Sequence, residues 1–217
     1  MTASGPPEDC CFDDWVDRWV RKARRGTTAA GVTGSLLDAL EEAGIRGRTV
    51  LDLGCGIGDL AIETVRRGAA SAHGFDLSPR AIEEARRLAT DRGVGDRTAF
   101  DVGDASLADL PAAGAVVLNR VFCCYPDVEA LLDRSLAAAG SVYAFTMPRS
   151  AGFVGAVERA HVRIGNWWMR RRPKAYGGFQ AFVHDVNAVD ARVRSAGFRP
   201  IRREHRRVVW ELAVYAR

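Results

Sequence analysis

The sequence predicts an α/β protein whose sheet is mostly parallel and is covered by helices on both faces. Apolar segments of strand length alternate with amphipathic helical segments through most of the first two thirds of the chain. Two further strand-like segments, FRPIRRE and VVWELAVYA, lie close together near the end. Strands joined by a short connection pair antiparallel, so we expect a terminal antiparallel pair on an otherwise parallel sheet.

The first elements follow from local signals. We expect helices within 12–43, broken near RRGTTAAGVTG, and then a strand in RTVLDL with a glycine loop after it. The helix that follows this loop should end at Gly68. The design then repeats: a strand ends near Asp76, Ser78 is the expected N-cap and Pro79 is the first helical residue.

The remaining elements complete one predicted domain, which suits a chain of 217 residues. Further strands are expected at about 97–102, in GAVVLNRV and in SVYAFTMP, with helices from Asp127 and at about 186–196. The domain is expected to have four parts: an N-terminal helical segment (1–44), a core that binds a cofactor (45–148), an insertion (149–183), and a terminal helix with a strand pair (184–217).

Composition sets the expected compartment and the partners. The five cysteines, the absence of a secretory start and the absence of an apolar run long enough to cross a bilayer predict a cytoplasmic protein without a membrane partner. Of the 31 lysines and arginines, only Lys22 and Lys174 are lysine. Most arginines alternate with acids, as on solvated helix faces, but the runs RKARR, MRRRPK and RREHRR leave an anionic substrate or a nucleic acid as alternatives.

The glycine loop DLGCGIGD follows the first predicted strand, where ligands bind in open α/β sheets. Its spacing is G-x-G-x-G, whereas a dinucleotide fingerprint requires G-x-G-x-x-G, and here Asp59 occupies the position of the third glycine. An acid in the first helical turn repels a pyrophosphate. The loop therefore favours a ligand without phosphate.

Two acids end the next strands. Asp76 can accept hydrogen bonds from both hydroxyls of a ribose, and Asp104, in VGDAS, can accept one from an exocyclic amino group such as that of adenine. A single acid at such a position is often only a helix cap or a turn residue. The succession of loop, Asp76 and Asp104 at three strand ends favours a cofactor site.

These residues resemble the motifs of class I S-adenosylmethionine-dependent methyltransferases over about residues 45–145. VLDLGCGIG is similar to the first motif, HGFDLS to the second, GDA to the third, and VVLNRV stands at the fourth. The resemblance implies a Rossmann-like seven-stranded sheet with a reversed last hairpin, and S-adenosyl-L-methionine as cofactor. It also implies the cofactor-binding residues Asp52, Gly54, Cys55, Gly56 and Gly58 at the methionine end, Asp76 at the ribose, Leu77, Asp104 and Ala105 at the adenine, and Asn119 at the cofactor's amino group or the substrate.

A narrower resemblance is carried by CCFDDW, NRVFCCYPD and AFVHD, which are similar to a group of small bacterial methyltransferases. The segment YAFTMPRSAGF and the basic helical insertion are similar in layout to magnesium-protoporphyrin O-methyltransferases. In the bacterial group an aspartate is expected where this chain has Asn119. An amide cannot act as a base, although its oxygen accepts a hydrogen bond.

Four residues are candidates for the catalytic end. Asn119 can hold the cofactor or the substrate, while Arg120 either binds a carboxylate or forms a surface salt bridge. Tyr125 is expected to be a pocket wall, because its reference pKa is near 10. His184 either acts as a general base or, as the pattern favours, caps or packs at a helix start.

Two interpretations also stand for the insertion and for the cysteine doublets. The insertion, with Trp167, Trp168, Tyr176, Phe179 and Arg170–Arg172, is either a lid that selects the acceptor or a helix packed on the sheet, and both can hold. The doublets Cys10–Cys11 and Cys123–Cys124 are expected to pack rather than to bind a soft ion, because adjacent thiols rarely reach one metal. No metal site is predicted.

The resemblance and the residues together predict an enzyme that transfers a methyl group from S-adenosylmethionine to an oxygen or nitrogen of a small molecule. One alternative is an RNA methyltransferase, which the basic insertion favours and the lack of an N-P-P-Y-type motif disfavours. The other is a non-catalytic cofactor-binding protein, which the asparagine at position 119 keeps open.

Overall fold

A computed structural model describes residues 12–24, 30–172 and 179–217. The helices are α1 (Asp13–Arg24), α2 (Val32–Glu42), α3 (Asp59–Arg66), α4 (Pro79–Asp91), α5 (Val128–Ala138), α6 (Gly152–Arg170) and α7 (Val186–Ser195). The strands are β1 (Thr49–Leu53), β2 (Ser71–Asp76), β3 (Thr98–Val102), β4 (Ala113–Asn119), β5 (Ala139–Pro148), β6 (Arg199–Arg206) and β7 (Trp210–Ala216).

The seven strands form one sheet in the order β3-β2-β1-β4-β5-β7-β6. Strands β1 to β5 pair in parallel, whereas β7 pairs antiparallel with both β5 and β6. The predicted fold class is therefore confirmed, including the terminal hairpin. The order of the strands reverses between β1 and β4, and a crevice opens at this point of an α/β sheet.

Each face of the sheet has its own core. Leu36 and Leu40 of α2 lie in one apolar cluster with residues of α3 and α4. The other cluster includes Phe145 of β5 and residues of α5 and α7. Its buried Tyr143 hydroxyl shares a hydrogen bond of 2.8 Å with Ser135, which avoids the cost of burying an unpaired polar group.

Helix α1 lies against the amino end of α4. The Ser78 hydroxyl contacts the Asp13 carboxylate, and Arg80 pairs with Asp17. On its inner side α1 contributes Val16 to a small apolar cluster that also contains Ile57 of the glycine loop. The N-terminal segment is thus fastened beside the loop. No helix within the described ranges has the length and apolarity needed to span a bilayer.

Glycines at 54, 56 and 58 all have positive φ, between 54° and 76°. Gly58 is the N-cap of α3, and a Cβ built there would lie 2.7 Å from the Phe100 ring and 3.0 Å from Cβ of Ala85. Only glycine combines this backbone conformation with so close an approach. Gly58 thus fits α3 tightly against β3 and α4.

We predict that Gly58→Ala lowers the free energy of unfolding by about 2–4 kcal/mol, because a left-handed conformation and a steric clash add together. Gly93→Ala is the matched control, since Gly93 has φ 69° but its Cβ would meet open space. It should cost only about 1 kcal/mol. Urea unfolding measures both values, and equal losses would contradict the packing role of Gly58.

Candidate active site

A cavity of about 650 Å³ lies where the carboxyl ends of the central strands meet. Most of the site residues expected from the sequence line it: Asp52, Gly54, Cys55, Gly56, Asp76, Leu77, Asp104, Ala105, Asn119, Arg120 and Tyr125. One cavity therefore joins the expected cofactor end to the expected catalytic end.

Asp76 fastens the glycine loop to the end of β2. Its Oδ2 accepts from the Gly56 N–H at 2.8 Å, and its Oδ1 accepts from the Ser78 N–H at 2.9 Å. The N–H groups of Gly54 and Cys55 donate to the main-chain oxygen of Phe75, at 2.8 and 3.0 Å. The three bonds from Gly54, Cys55 and Gly56 fix the loop, while the bond from Ser78 orients the Asp76 carboxylate, whose remaining lone pairs suit two ribose hydroxyls.

Asp52 is an unsatisfied acid in the wall of the cavity. It is 1% exposed, and neither of its carboxylate oxygens has a hydrogen-bond partner among the described residues. Burial raises the pKa of Asp52 to about 8, the Ala61 main-chain N–H opposes that rise, and the charges of Asp76 and Asp59 add to it. A ligand with positive charge or N–H donors would satisfy this carboxylate.

Asp104 is held by two hydroxyl groups. The Tyr125 hydroxyl donates to the carboxylate, 2.7 and 2.8 Å from its two oxygens, and the Ser106 hydroxyl donates to Oδ1 at 2.8 Å. Desolvation, together with the nearby Asp104 charge, raises the pKa of Tyr125 to about 12. Tyr125 therefore stays protonated and holds Asp104, at the expected adenine end, rather than removing a proton from a substrate.

The Asn119 amide is oriented by two threonines. Its Oδ1 accepts from Thr146 Oγ1 at 2.8 Å, and its Nδ2 donates to Thr33 Oγ1 at 3.1 Å. One Nδ2 proton and one lone pair of Oδ1 remain for a ligand. Asn119 is thus a fixed hydrogen-bonding group at the end of β4.

Two of the predicted site residues do not line the cavity. Gly58 serves packing, as described above. His184 donates from Nε2 to the main-chain oxygen of Tyr125 at 2.8 Å, and its ring stacks on Phe182. Because Nε2 is committed to that carbonyl, the structure places His184 as a support for the Tyr125 segment, which is closer to the packing role that the sequence favoured than to a general base.

The insertion (149–183) approaches the candidate site near its own C-terminal end. Arg171 and Arg172 lie over the rings of Trp167 and Trp168, and none of the described residues of 149–183 lines the cavity. Phe179, however, packs edge-on against Phe12, which does line it. The lid role therefore stays a prediction, and Tyr176 lies outside the described residues.

Cys124 lines the cavity, and its Sγ lies 3.5 Å from that of Cys123. The Cys123 thiol donates to the main-chain oxygen of Arg120 at 3.2 Å. Contact with the Cys124 thiol lowers the pKa of Cys123. In the part of the chain that the structure describes, no three potential ligands are grouped for a metal ion, and Cys10 and Cys11 lie outside that part.

Several lining residues were missed by the sequence reasoning. They are Phe12, Trp19 and Lys22 from the N-terminal segment, Thr33 from α2, and Arg207 from the turn between β6 and β7. The apolar spacing of α1 carries a signal for Trp19. Arg207 had only a weak signal, the basic run RREHRR, because its place depends on how the terminal hairpin folds back.

Comparison with known proteins identifies one part of the chain. The sequence profile that describes the methyltransferase domain matches residues 50–140, from β1 into β5. The chain carries a methyltransferase domain in this range. The orphaned Asp52 carboxylate, the close approach allowed by the glycine loop and the free lone pairs of Asp76 fit S-adenosylmethionine, the cofactor that the sequence resemblance implies.

The curated relatives that match this chain include ribosomal protein L11 methyltransferases. The protein from Pasteurella multocida is 39% identical over 94 residues, covering 43% of this chain and 32% of the relative. The protein from Salmonella arizonae is 40% identical over 92 residues, covering 41% and 31%. The chain thus spans about a third of the length of these relatives.

Solved structures match this chain over nearly its whole length. Magnesium protoporphyrin IX methyltransferase from Synechocystis, with bound SAH, has a TM-score of 0.66 at 18% identity and covers 94% of this chain and 97% of its own. The [4+2]-cyclase SpnF has a TM-score of 0.70 at 15% identity, covering 95% and 93%. At such identities these matches support the fold alone.

We predict that Asp76→Ala weakens binding of S-adenosylhomocysteine by about 1.5–3 kcal/mol, or roughly 10- to 150-fold, because it removes a charged acceptor and releases the loop. Asp101→Ala is the control, since this exposed β3 acid pairs with His73 outside the cavity. Calorimetry measures both affinities. Equal binding by the Asp76 variant and the wild type would refute this role.

We predict that the buried Asp52 carboxyl makes the stability of the cofactor-free protein depend on pH. Its pKa is about 8 in the folded chain against an ordinary value of 3.8, so the folded state binds the extra proton. Stability should therefore fall as pH rises between these values, and Asp52→Asn should lack that part of the fall. Urea unfolding from about pH 5 to about pH 9 tests this. The variant should gain on the wild type with rising pH, and parallel profiles would contradict the assignment.

Proposed function

We propose that the protein transfers a methyl group from S-adenosylmethionine to an oxygen or nitrogen of a small molecule. The observation that carries this proposal is the single cavity, which is lined both by Asp52 and Asp76 and by Asn119 and Arg120. Its volume of about 650 Å³ lies in the range of small-molecule sites. A donor and a small acceptor would then lie side by side, out of bulk water.

S-adenosylmethionine supplies an electrophilic methyl group on a sulfonium sulfur. The chain's own contribution is to bind and orient, which supplies much of the rate of such a transfer. Asp76 and the glycine loop hold the nucleoside, and Asp52 faces the positively charged part. Asn119 directs a fixed N–H toward the neighbouring space, and the protonated Tyr125 keeps Asp104 in place.

A protein acceptor is the competing function, since the curated relatives are named for ribosomal protein L11. These relatives match only 43% and 41% of this chain. The methyltransferase profile ends at residue 140, so Arg207, which lines the cavity, lies outside the part of the chain that the profile describes. A small acceptor is therefore favoured over L11.

The test offers the purified protein radiolabelled S-adenosylmethionine with three separate acceptor pools: a small-metabolite extract, ribosomal protein L11, and total RNA. We expect label in the small-metabolite pool, with S-adenosylhomocysteine formed in equal amount. Asp76→Ala should abolish the signal and Asp101→Ala should retain it.

Label that enters only L11 or only RNA would overturn the small-molecule proposal in favour of that acceptor. Tight binding of S-adenosylhomocysteine with no labelled product from any pool would instead support a non-catalytic cofactor-binding protein.

A further inference from the structure

Two arginines from different parts of the chain line the same end of the cavity. Arg120 directly follows β4, and Arg207 lies in the turn between β6 and β7. Both side chains are exposed, so a ligand entering the cavity meets them. A guanidinium group matches a carboxylate with two parallel hydrogen bonds.

Neither arginine forms an ion pair within the described ranges of the chain. Neighbouring arginines of the same hairpin do: Arg202 pairs with Glu42 at 2.8 Å, Arg203 with Glu211 at 2.8 Å, and Arg206 with Glu204 at 2.9 Å. Arg120 and Arg207 therefore differ from the hairpin's surface charges, which are neutralised.

The two guanidinium groups lie near enough for their charges to interact. Desolvation lowers the pKa of Arg120, the Cys123 thiol raises it, and the charge of Arg207 lowers it. A Cβ built on Gly31 would lie 2.9 Å from Nη2 of Arg207, so this guanidinium also lies beside the positive amino end of α2. An anion placed here would relieve a repulsion that no described carboxylate relieves.

The backbone at both positions is strained. Arg120 has φ 63°, Arg207 has φ 47° and Val208 has φ 64°, all in the left-handed region that favours glycine. Residues held in such conformations cluster at ligand-binding sites. Arg120 is further held over the Trp210 ring, 5.0 Å from its centroid.

We propose that Arg120 and Arg207 together bind a carboxylate group of the methyl acceptor. This inference rests on the proposed function and names the class of small molecule: an organic anion. The cavity is then polarised, with Asp52, Asp76 and Asp104 at the end for a cationic cofactor and the two arginines at the end for an anionic acceptor.

The test is a calorimetric titration with benzoate, and with benzamide as its neutral isostere, in the presence and absence of S-adenosylhomocysteine. We expect benzoate to bind about tenfold or more tightly than benzamide. Arg207→Gly should weaken benzoate binding about fivefold or more without lowering the urea midpoint, because glycine relaxes the turn. Arg206→Gln, a charge removal one residue away and outside the cavity, should leave benzoate affinity unchanged.

A purely structural Arg207 would instead show a lower urea midpoint in Arg207→Gly and no preference of the wild type for benzoate, which overturns the inference. The arginines could also belong to the cofactor's own carboxylate. Arg207→Gly would then weaken S-adenosylhomocysteine but not 5′-methylthioadenosine, which lacks the amino-acid part, and this too overturns it. Either result leaves the proposed methyl transfer intact, whereas a wild type that binds no S-adenosylhomocysteine removes both.

Discussion

The hydrogen bond between the Asp76 carboxylate and the Gly56 N–H is the constraint on which the rest of the site depends. It joins the ends of β1 and β2 across a loop that has no regular secondary structure. Without it, the three glycines of the loop, at every second position, would allow the loop many backbone conformations. Because this contact fastens the loop to both strand ends, the register of two buried parallel strands sets the shape of the cavity.

The three acids of the expected cofactor end differ in their hydrogen bonds. Asp76 and Asp104 accept several, whereas Asp52 has none among the described residues. The cost of an unsatisfied buried carboxylate is tolerated at a site where a ligand can recover it. The polar groups around Asn119 are satisfied instead by Thr33 and Thr146, so this residue is rigid in advance of binding.

The sequence predicted most of the fold and the acids that line the cavity, but not the contacts that hold those acids in place. The strand-loop-helix succession and its polar strand ends are local, so Asp52, Asp76 and Asp104 were placed correctly beside one cavity. The partnership of Asp104 with Tyr125 joins two loops and is set by tertiary packing, which no local pattern encodes. Gly58 carried the signal of a ligand contact although its backbone serves helix packing. A glycine motif alone does not distinguish these two needs.

The strand order has a consequence for how such a protein can change. Strands β1 to β3 and the glycine loop carry most of the residues expected at the cofactor, whereas Asn119, Arg120 and the hairpin carrying Arg207 lie on the other side of the β1–β4 boundary. Two contacts tie these halves together, since Thr33 of α2 orients Asn119 and Tyr125 holds Asp104. Recombination between residues 105 and 113 that keeps both pairs would exchange one acceptor preference for another while inheriting an intact donor site. The fold is, in this sense, divided into a retained module and a replaceable one.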